Sequence, residues 1–183
     1  MAEDNRAGRA LKGNGVEICE RFPLACVNLR GAPSDSRFVR AVTSVTDVAP
    51  PTQPCSSVAG LFVAILWLGP DEWLVISETQ RGDEIAARLR QALRGIHSAV
   101  NEVGDGRVVC ALSGVAVRSV LAKGCPIDFH PRVFPTGQCV RTLLAKASVL
   151  IHARAADRFE VHVARSFADY AWAWFENATA EYR

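Results

Sequence analysis

The chain reads as an α+β protein made of two tandem ferredoxin-like βαββαβ halves that share a core. Three observations carry that reading. The order strand, helix, hairpin, helix can be traced twice along the sequence. The string Asp71-Glu72-Trp73-Leu74-Val75 is answered by Asp157-Arg158-Phe159-Glu160-Val161, 86 residues on (71 to 157). In each half the same kind of hairpin runs into a helix with an acidic or hydroxyl residue at its start.

The elements follow in order. Residues 1–15, rich in Gly, Arg, Asn and Ala, read as a disordered lead-in. Residues 16–183 then read as a single compact domain of two pseudo-repeats, about 16–104 and 105–183. Leu24–Arg30 is a strand, and Ser34 or Asp35 caps a helix with Phe38, Val42 and Val45 at helical spacing. After a proline-rich loop at Ala49–Ser57, Leu61–Leu68 is a continuous apolar strand of the kind buried on both faces. Gly69-Pro70-Asp71-Glu72 turns it into Trp73–Ser77. Asp83 caps a helix with Ile85, Leu89, Ala92, Leu93 and Ile96 on one face, Gly95 fits its stop, and Ser98–Val103 is a short final strand.

In the second half Val108–Leu112 is a strand. Ser113 caps a helix through Val117, Val120 and Leu121 that Gly124 stops. Strands follow at Cys139–Leu144, Val149–Ala153 and Phe159–Val163; in the last, Glu160 and His162 face away from Phe159, Val161 and Val163. Ser166 caps the last helix. Its apolar stripe reads as Phe167, Tyr170, Ala171, Trp174 and Ala178 with Phe175 at the edge, which leaves Trp172 beside Asp169 and Glu176 on the solvated face.

Composition narrows the function classes. With 49% hydrophobic and 22% charged residues the chain can bury a substantial core. A net charge of +2, without a basic run, gives no reason to expect nucleic acid. The best apolar run, Val58–Leu68, is about half a membrane span, and the first residues show no secretory signal, so no membrane and a cytoplasmic location are expected. The six cysteines, without a CxxC pair, read as reduced and mostly buried thiols.

Three strings are distinctive: LWLGPDEWLVIS at 66–77, KGCPIDFHPRVFP at 123–135 and ARSFADYAWAWFENA at 164–178. Together they resemble the gamma subunit of heterotetrameric sarcosine oxidase, over roughly residues 16–178. The wider relatives are the folate-binding aminomethyltransferases of the glycine cleavage system, whose N-terminal part has a comparable internal duplication. The resemblance implies a non-catalytic structural subunit of a flavoenzyme complex. That complex oxidatively demethylates sarcosine to glycine, forms hydrogen peroxide and passes a one-carbon unit to tetrahydrofolate. It also implies alpha, beta and delta subunits as partners, alpha in direct contact. FAD, FMN, NAD and zinc would sit on those subunits, with no cofactor on this chain. The alternative is a standalone folate-binding or aminomethyltransferase-like protein, and a self-associating regulatory domain is a third reading.

The residues themselves offer little competing chemistry. His97, His130, His152 and His162 form no HxH, HExxH or HxxxH pattern. No GxSxG elbow, no GxGxxG after a strand and no phosphate-binding loop occurs. Cys125 and His130 lie five apart across a proline-containing loop that does not force them together. Asp128, the one acid of that loop, is placed to accept backbone N–H groups or to pair with Arg132 or a partner's arginine. The candidate subunit interface is therefore the stiff apolar loop, at Ile127, Asp128, Phe129, Arg132, Val133 and Phe134, together with the stray Trp172.

Overall fold

The computed structural model describes residues 8–21 and 25–183. The α+β class holds, with eleven strands, β1 to β11, and four helices, α1 to α4, among the described residues. They divide into two compact units. Of the described residues, 25–106 with 137–141 make one, called unit B, and 8–21, 107–136 and 142–183 make the other, unit A.

Unit B is the first repeat almost as read. β3 (Ala25–Gly31) leads into α1 (Ser36–Thr46), where Asp35 is the cap and its Oδ1 accepts from the Arg37 N–H at 2.9 Å. β4 (Ser57–Ala59), β5 (Ala64–Gly69), β6 (Glu72–Ser77), α2 (Gly82–Ala92) and β7 (Ser98–Glu102) follow. The sheet runs β4-β5-β6-β3-β7, all antiparallel, so the split ferredoxin-like order carries one extra edge strand.

α1 and α2 bury Phe38, Val42, Ile85 and Leu89 against Val27, Leu29, Trp73 and Val75. Phe38 lies 5.6 Å from the Trp73 ring, whose Nε1 donates to the Pro51 carbonyl at 2.8 Å. Gly31 is obligatory here, because a Cβ would run into the Phe38 ring. Asp83, expected to cap α2, lies inside its first turn; Arg81 holds the cap position and Gly82 starts the helix.

Unit A repeats the pattern with one substitution of parts. β8 (Arg107–Ser113), α3 (Val117–Ala122), β9 (Cys139–Leu144, its first three residues counted with unit B), β10 (Ala147–Ala155), β11 (Arg158–Ala164) and α4 (Ala168–Ala178) follow the order of the first repeat. The 86-residue offset holds closely: β6 begins at Glu72 and β11 at Arg158, and α2 spans 82–92 where α4 spans 168–178. The place that β7 takes beside β3 is taken beside β8 by β2 (Val16–Arg21), which comes from the N-terminal end of the described chain. The sheet order is β1-β2-β8-β11-β10-β9.

Here the reading of the lead-in needs correction. Residues 1–7 lie outside the described residues, but Ala10–Gly13 forms β1, paired with β2 from Ala10↔Cys19 to Gly13↔Val16. The stretch lacks hydrophobic density, and the pairing comes from backbone hydrogen bonds on an edge rather than from a buried side-chain pattern. The boundary between pseudo-repeats also shifts. Residues 16–21 belong to the second sheet and not to the first half.

Two further corrections concern helix phase and strand length. Ser166 lies in a single 3-10 turn, Arg165–Phe167, and α4 begins after it. Its buried face is Ala171, Trp172, Phe175 and Ala178, while Phe167 and Tyr170 stay exposed. Aromatic residues at 170, 172, 174 and 175 surround the helix, so the apolar stripe could be drawn in two phases. The strand expected at Leu61–Leu68 starts only at Ala64, which leaves Leu61 and Phe62 on the surface.

If β2 is a structural strand, truncating its buried side chain must cost core stability. Ile18→Ala is expected to lower unfolding free energy by about 2–4 kcal/mol in urea titrations. Lys12→Ala on the neighbouring edge strand is expected to change it by less than about 0.5 kcal/mol.

Candidate functional site

The loop from Cys125 to Thr136 is anchored from beneath by an arginine that the sequence did not single out. Arg118, on α3, donates through Nη1 to the carbonyls of Phe129 at 2.5 Å and Phe134 at 2.9 Å, and through Nε to Ala156 at 3.0 Å. Its guanidinium also lies 4.8 Å over the Phe159 ring. Phe129 and Phe134 close on Phe159, with centroids at 6.2 and 6.3 Å, and on each other at 5.6 Å. The loop's stiffness therefore comes from a cation holding carbonyls above an aromatic cluster. Burial lowers the Arg118 pKa, but a guanidinium stays charged.

This settles where the predicted interface residues lie. Phe129 and Phe134 are buried inside unit A and Ile127 is half-buried, while Asp128, Arg132 and Val133 are exposed. Asp128 Oδ1 accepts from the His130 N–H at 2.8 Å, which makes it a turn-forming residue. The Arg132 N–H donates in turn to His130 Nδ1 at 3.3 Å. Cys125 is buried, its thiol pushed up to about 12 by desolvation, while His130 faces solvent.

Trp172 is not on a solvated face either, being only 6% exposed. Arg9, from the stretch expected to be a disordered lead-in, lies 5.0 Å over its ring. The same guanidinium grips Glu20 through Nη2 at 2.6 Å and Nε at 2.9 Å, and reaches Asp169 at 2.8 Å. Those hydrogen bonds hold Glu20 below the usual carboxylate range. The indole Nε1 donates to Glu176 at 3.2 Å.

The other concentration of charge is buried in the sheet of unit A. The β10–β11 register sets His152 opposite Glu160, and the strand alternation puts His162 on the same face. Glu160 Oε2 lies 3.5 Å from His152 Nδ1 and 3.5 Å from His162 Nε2, and Oε1 lies 3.3 Å from Arg154 Nη1. Burial by itself would raise the Glu160 carboxyl. The two imidazoles and Arg154 outweigh it and hold Glu160 ionised, far below the usual range. Burial keeps His162 neutral, lowering its pKa in spite of the adjacent carboxylate. Among the described residues no group of three or more His, Cys, Asp or Glu is placed to hold a metal ion.

Metal-ligand spacing does not reveal this cluster, and strand alternation alone places only Glu160 and His162 together. The signal that would have found this cluster is the hairpin register, which brings His152 across from Glu160-x-His162. The cysteine reading stands: all six are free thiols, four of them buried, and burial pushes Cys110 and Cys139 up to about 12 as well.

The model of the "Sarcosine oxidase, gamma subunit family" matches residues 30–181. A sarcosine oxidase subunit gamma from Corynebacterium sp. (strain P-1) is 34% identical over all of this chain and 86% of its own length. One from Arthrobacter sp. is 32% identical with the same coverage. Among solved structures, the heterotetrameric sarcosine oxidase from Corynebacterium sp. U-96 aligns with a TM-score of 0.86 at 28% identity, over 96% of this chain and 89% of that one. Aminomethyltransferase T of the glycine cleavage system from Bartonella henselae aligns at 0.66 and 15% identity, over 90% of this chain and 46% of its own; that likeness concerns the fold.

Two outcomes check the buried charges. Arg118→Met removes three carbonyl contacts and is expected to cost about 3 kcal/mol in thermal or urea unfolding, with Arg118→Lys recovering part of it. The pH dependence has a definite sign. His162 is neutral when folded and its folded pKa is lowered from 6.5, so the unfolded chain takes up the proton first. Stability is full above about pH 6.5 and falls below it, with a slope approaching about 1.4 kcal/mol per pH unit. His162→Gln is expected to flatten that slope between pH 6.5 and 5. The facing groups Glu160, His152, Arg154 and Arg107 remain in place in this variant.

Proposed function

This chain belongs to the sarcosine oxidase gamma subunit family, and from that membership we propose that it is a non-catalytic structural subunit of a heterotetrameric sarcosine oxidase. The observation that carries the reading is the family match over residues 30–181, supported by the fold shared across 96% of the chain with a heterotetrameric sarcosine oxidase. The complex oxidises the N-methyl group of sarcosine, releasing glycine and hydrogen peroxide, and passes the one-carbon unit to tetrahydrofolate. Its partners are the alpha, beta and delta subunits, with alpha in direct contact. FAD, FMN, NAD and zinc belong to those subunits, and the assembly is cytoplasmic. No helix among the described residues is long and apolar enough to cross a membrane.

What this chain's own residues contribute is a stiff, pre-shaped body. Arg118 fixes the carbonyls of the Phe129–Phe134 loop, Arg9 ties β1 and β2 to α4, and Glu160 stays ionised between its histidines. Each interaction limits the motion of the unit it lies in, and rigid partners lose less entropy on assembly.

The test is to tag the chain in its own host and, separately, to produce it alone in another host. Material from the native host is expected to bring down larger subunits with flavin absorbance and sarcosine-dependent peroxide formation. The chain produced alone is expected to show neither. A colourless protein without partners from the native host would overturn the proposal.

A further inference from the structure

We propose that the larger subunit of the assembly docks on the β4–β5 edge of unit B, with its own uncharged, apolar surface over Val58, Leu61 and Phe62. This rests on the heteromeric reading above and goes beyond it, because neither the sequence strings nor the stiff loop pointed to this edge.

Three observations converge there. From Val48 to Pro70 the sequence has no Asp, Glu, Lys, Arg or His; the flanking charges are Asp47 and Asp71. Within that span Leu61 is 82% exposed, Phe62 55% and Val58 36%. β4 is an edge strand of its sheet, its outer side met at the start by the Ser56–Gln138 bridge and by the Ser57 N–H donating to the Gly137 carbonyl at 2.7 Å, which leaves Val58 and Ala59 beyond that pairing. Proteins ordinarily guard such an edge with lysine, other charges or a bulge, and here the exposed side chains Val58, Ala59, Leu61 and Phe62 supply none of them. An apolar, charge-depleted patch with an aromatic residue is the composition of an interface core.

The segment is also held in shape. The Gly60 N–H donates to the Val63 carbonyl at 2.8 Å, and Ser77 Oγ donates to the Phe62 carbonyl at 2.6 Å. The same Ser77 oxygen accepts from the N–H groups of Thr79 at 3.2 Å and Gln80 at 3.0 Å. At Gly60 an added Cβ would come to 2.9 Å from the Thr46 carbonyl, so the turn sits tight on the end of α1. Phe62 is exposed on a backbone pinned from both sides, which suits a hot-spot side chain that loses little entropy when covered.

Charge selects the occupant. A partner face bearing ions would have to desolvate them against a segment that offers no counter-charge, so the matching surface is itself apolar. The N-terminal stretch Met1–Ala7 carries Glu3, Asp4 and Arg6 and does not match. The relatives are gamma subunits, and one aligned structure is heterotetrameric, which favours a different, larger chain over a second copy of this one.

The experiment uses the tagged full chain in its native host. Leu61→Asp combined with Phe62→Asp is expected to reduce recovery of the larger subunits by about tenfold or more, the scale of a hot-spot loss. The free variant should keep the wild-type melting temperature, since both side chains are exposed. Val133→Asp, on the stiff loop, is expected to leave recovery unchanged. A photo-crosslinking amino acid in place of Leu61 is expected to join the chain to a larger subunit, a readout that does not depend on how well the aspartate variant folds. Undiminished recovery with the double variant, or crosslinking only to a second copy of the chain, overturns the proposal. If Val133→Asp alone abolishes recovery, the assembly stands but its contact lies on the loop. If wild-type chain recovers no larger subunit, the proposed function itself fails.

Discussion

The structure of unit A depends on how the open side of β8 is closed. β8 has β11 on one side, and on the other it presents a row of backbone donors and acceptors that must be paired or exposed. β2 fills that place, with Ile18 opposite Leu112 and Cys19 opposite Ala111, and both Ile18 and Leu112 are buried. β1 then lies outside β2, and Arg9 beside it reaches over to Trp172 on α4. A segment whose composition suggests disorder is thus held by main-chain pairing and one bidentate ion pair. The buried faces of β8, β11 and β10 rest on that pairing.

Charges placed inside this frame are matched by geometry fixed in the backbone. Glu160 and His152 are held opposite each other by strand register, and Arg154 lies two residues further along the same strand as His152. Arg118 meets carbonyls that the loop turns toward it. A satisfied network, as Arg118 makes with its three carbonyls, selects one arrangement of the chain. This fits a subunit whose role is to present a fixed surface.

Much of this was legible in the sequence because period-2 and period-3.6 patterns are local. Cys139–Leu144 was read with its observed bounds, and the 86-residue correspondence was visible in Asp71–Val75 and Asp157–Val161. The failures share a cause, which is that partners distant in sequence decide the outcome. β2 cannot be assigned to the second sheet without knowing that β8 needs it. Trp172 looked solvated because the helix's apolar phase is ambiguous and because its cover, Arg9, comes from the other end of the chain. Arg118 looked like an ordinary exposed helix position, and only the loop's return over it reveals its role. Leu61 and Phe62 were absorbed into an apolar run, although the strand begins beyond them.

The proposed contact at the β4–β5 edge would turn a different surface from the stiff loop toward a partner. The loop that first suggested an interface spends its aromatic residues on Phe159, and its outward side chains are Asp128, Arg132 and Val133. Among the exposed apolar side chains, Val58, Leu61 and Phe62 lie together in a charge-free segment at the β4–β5 edge. Native mass spectrometry of the untagged material from its host distinguishes a subunit of a larger flavoenzyme from a free chain. A single species containing this chain in equal copy number with larger flavin-carrying subunits is expected. A species with the mass of this chain alone, or of its dimer, would contradict it.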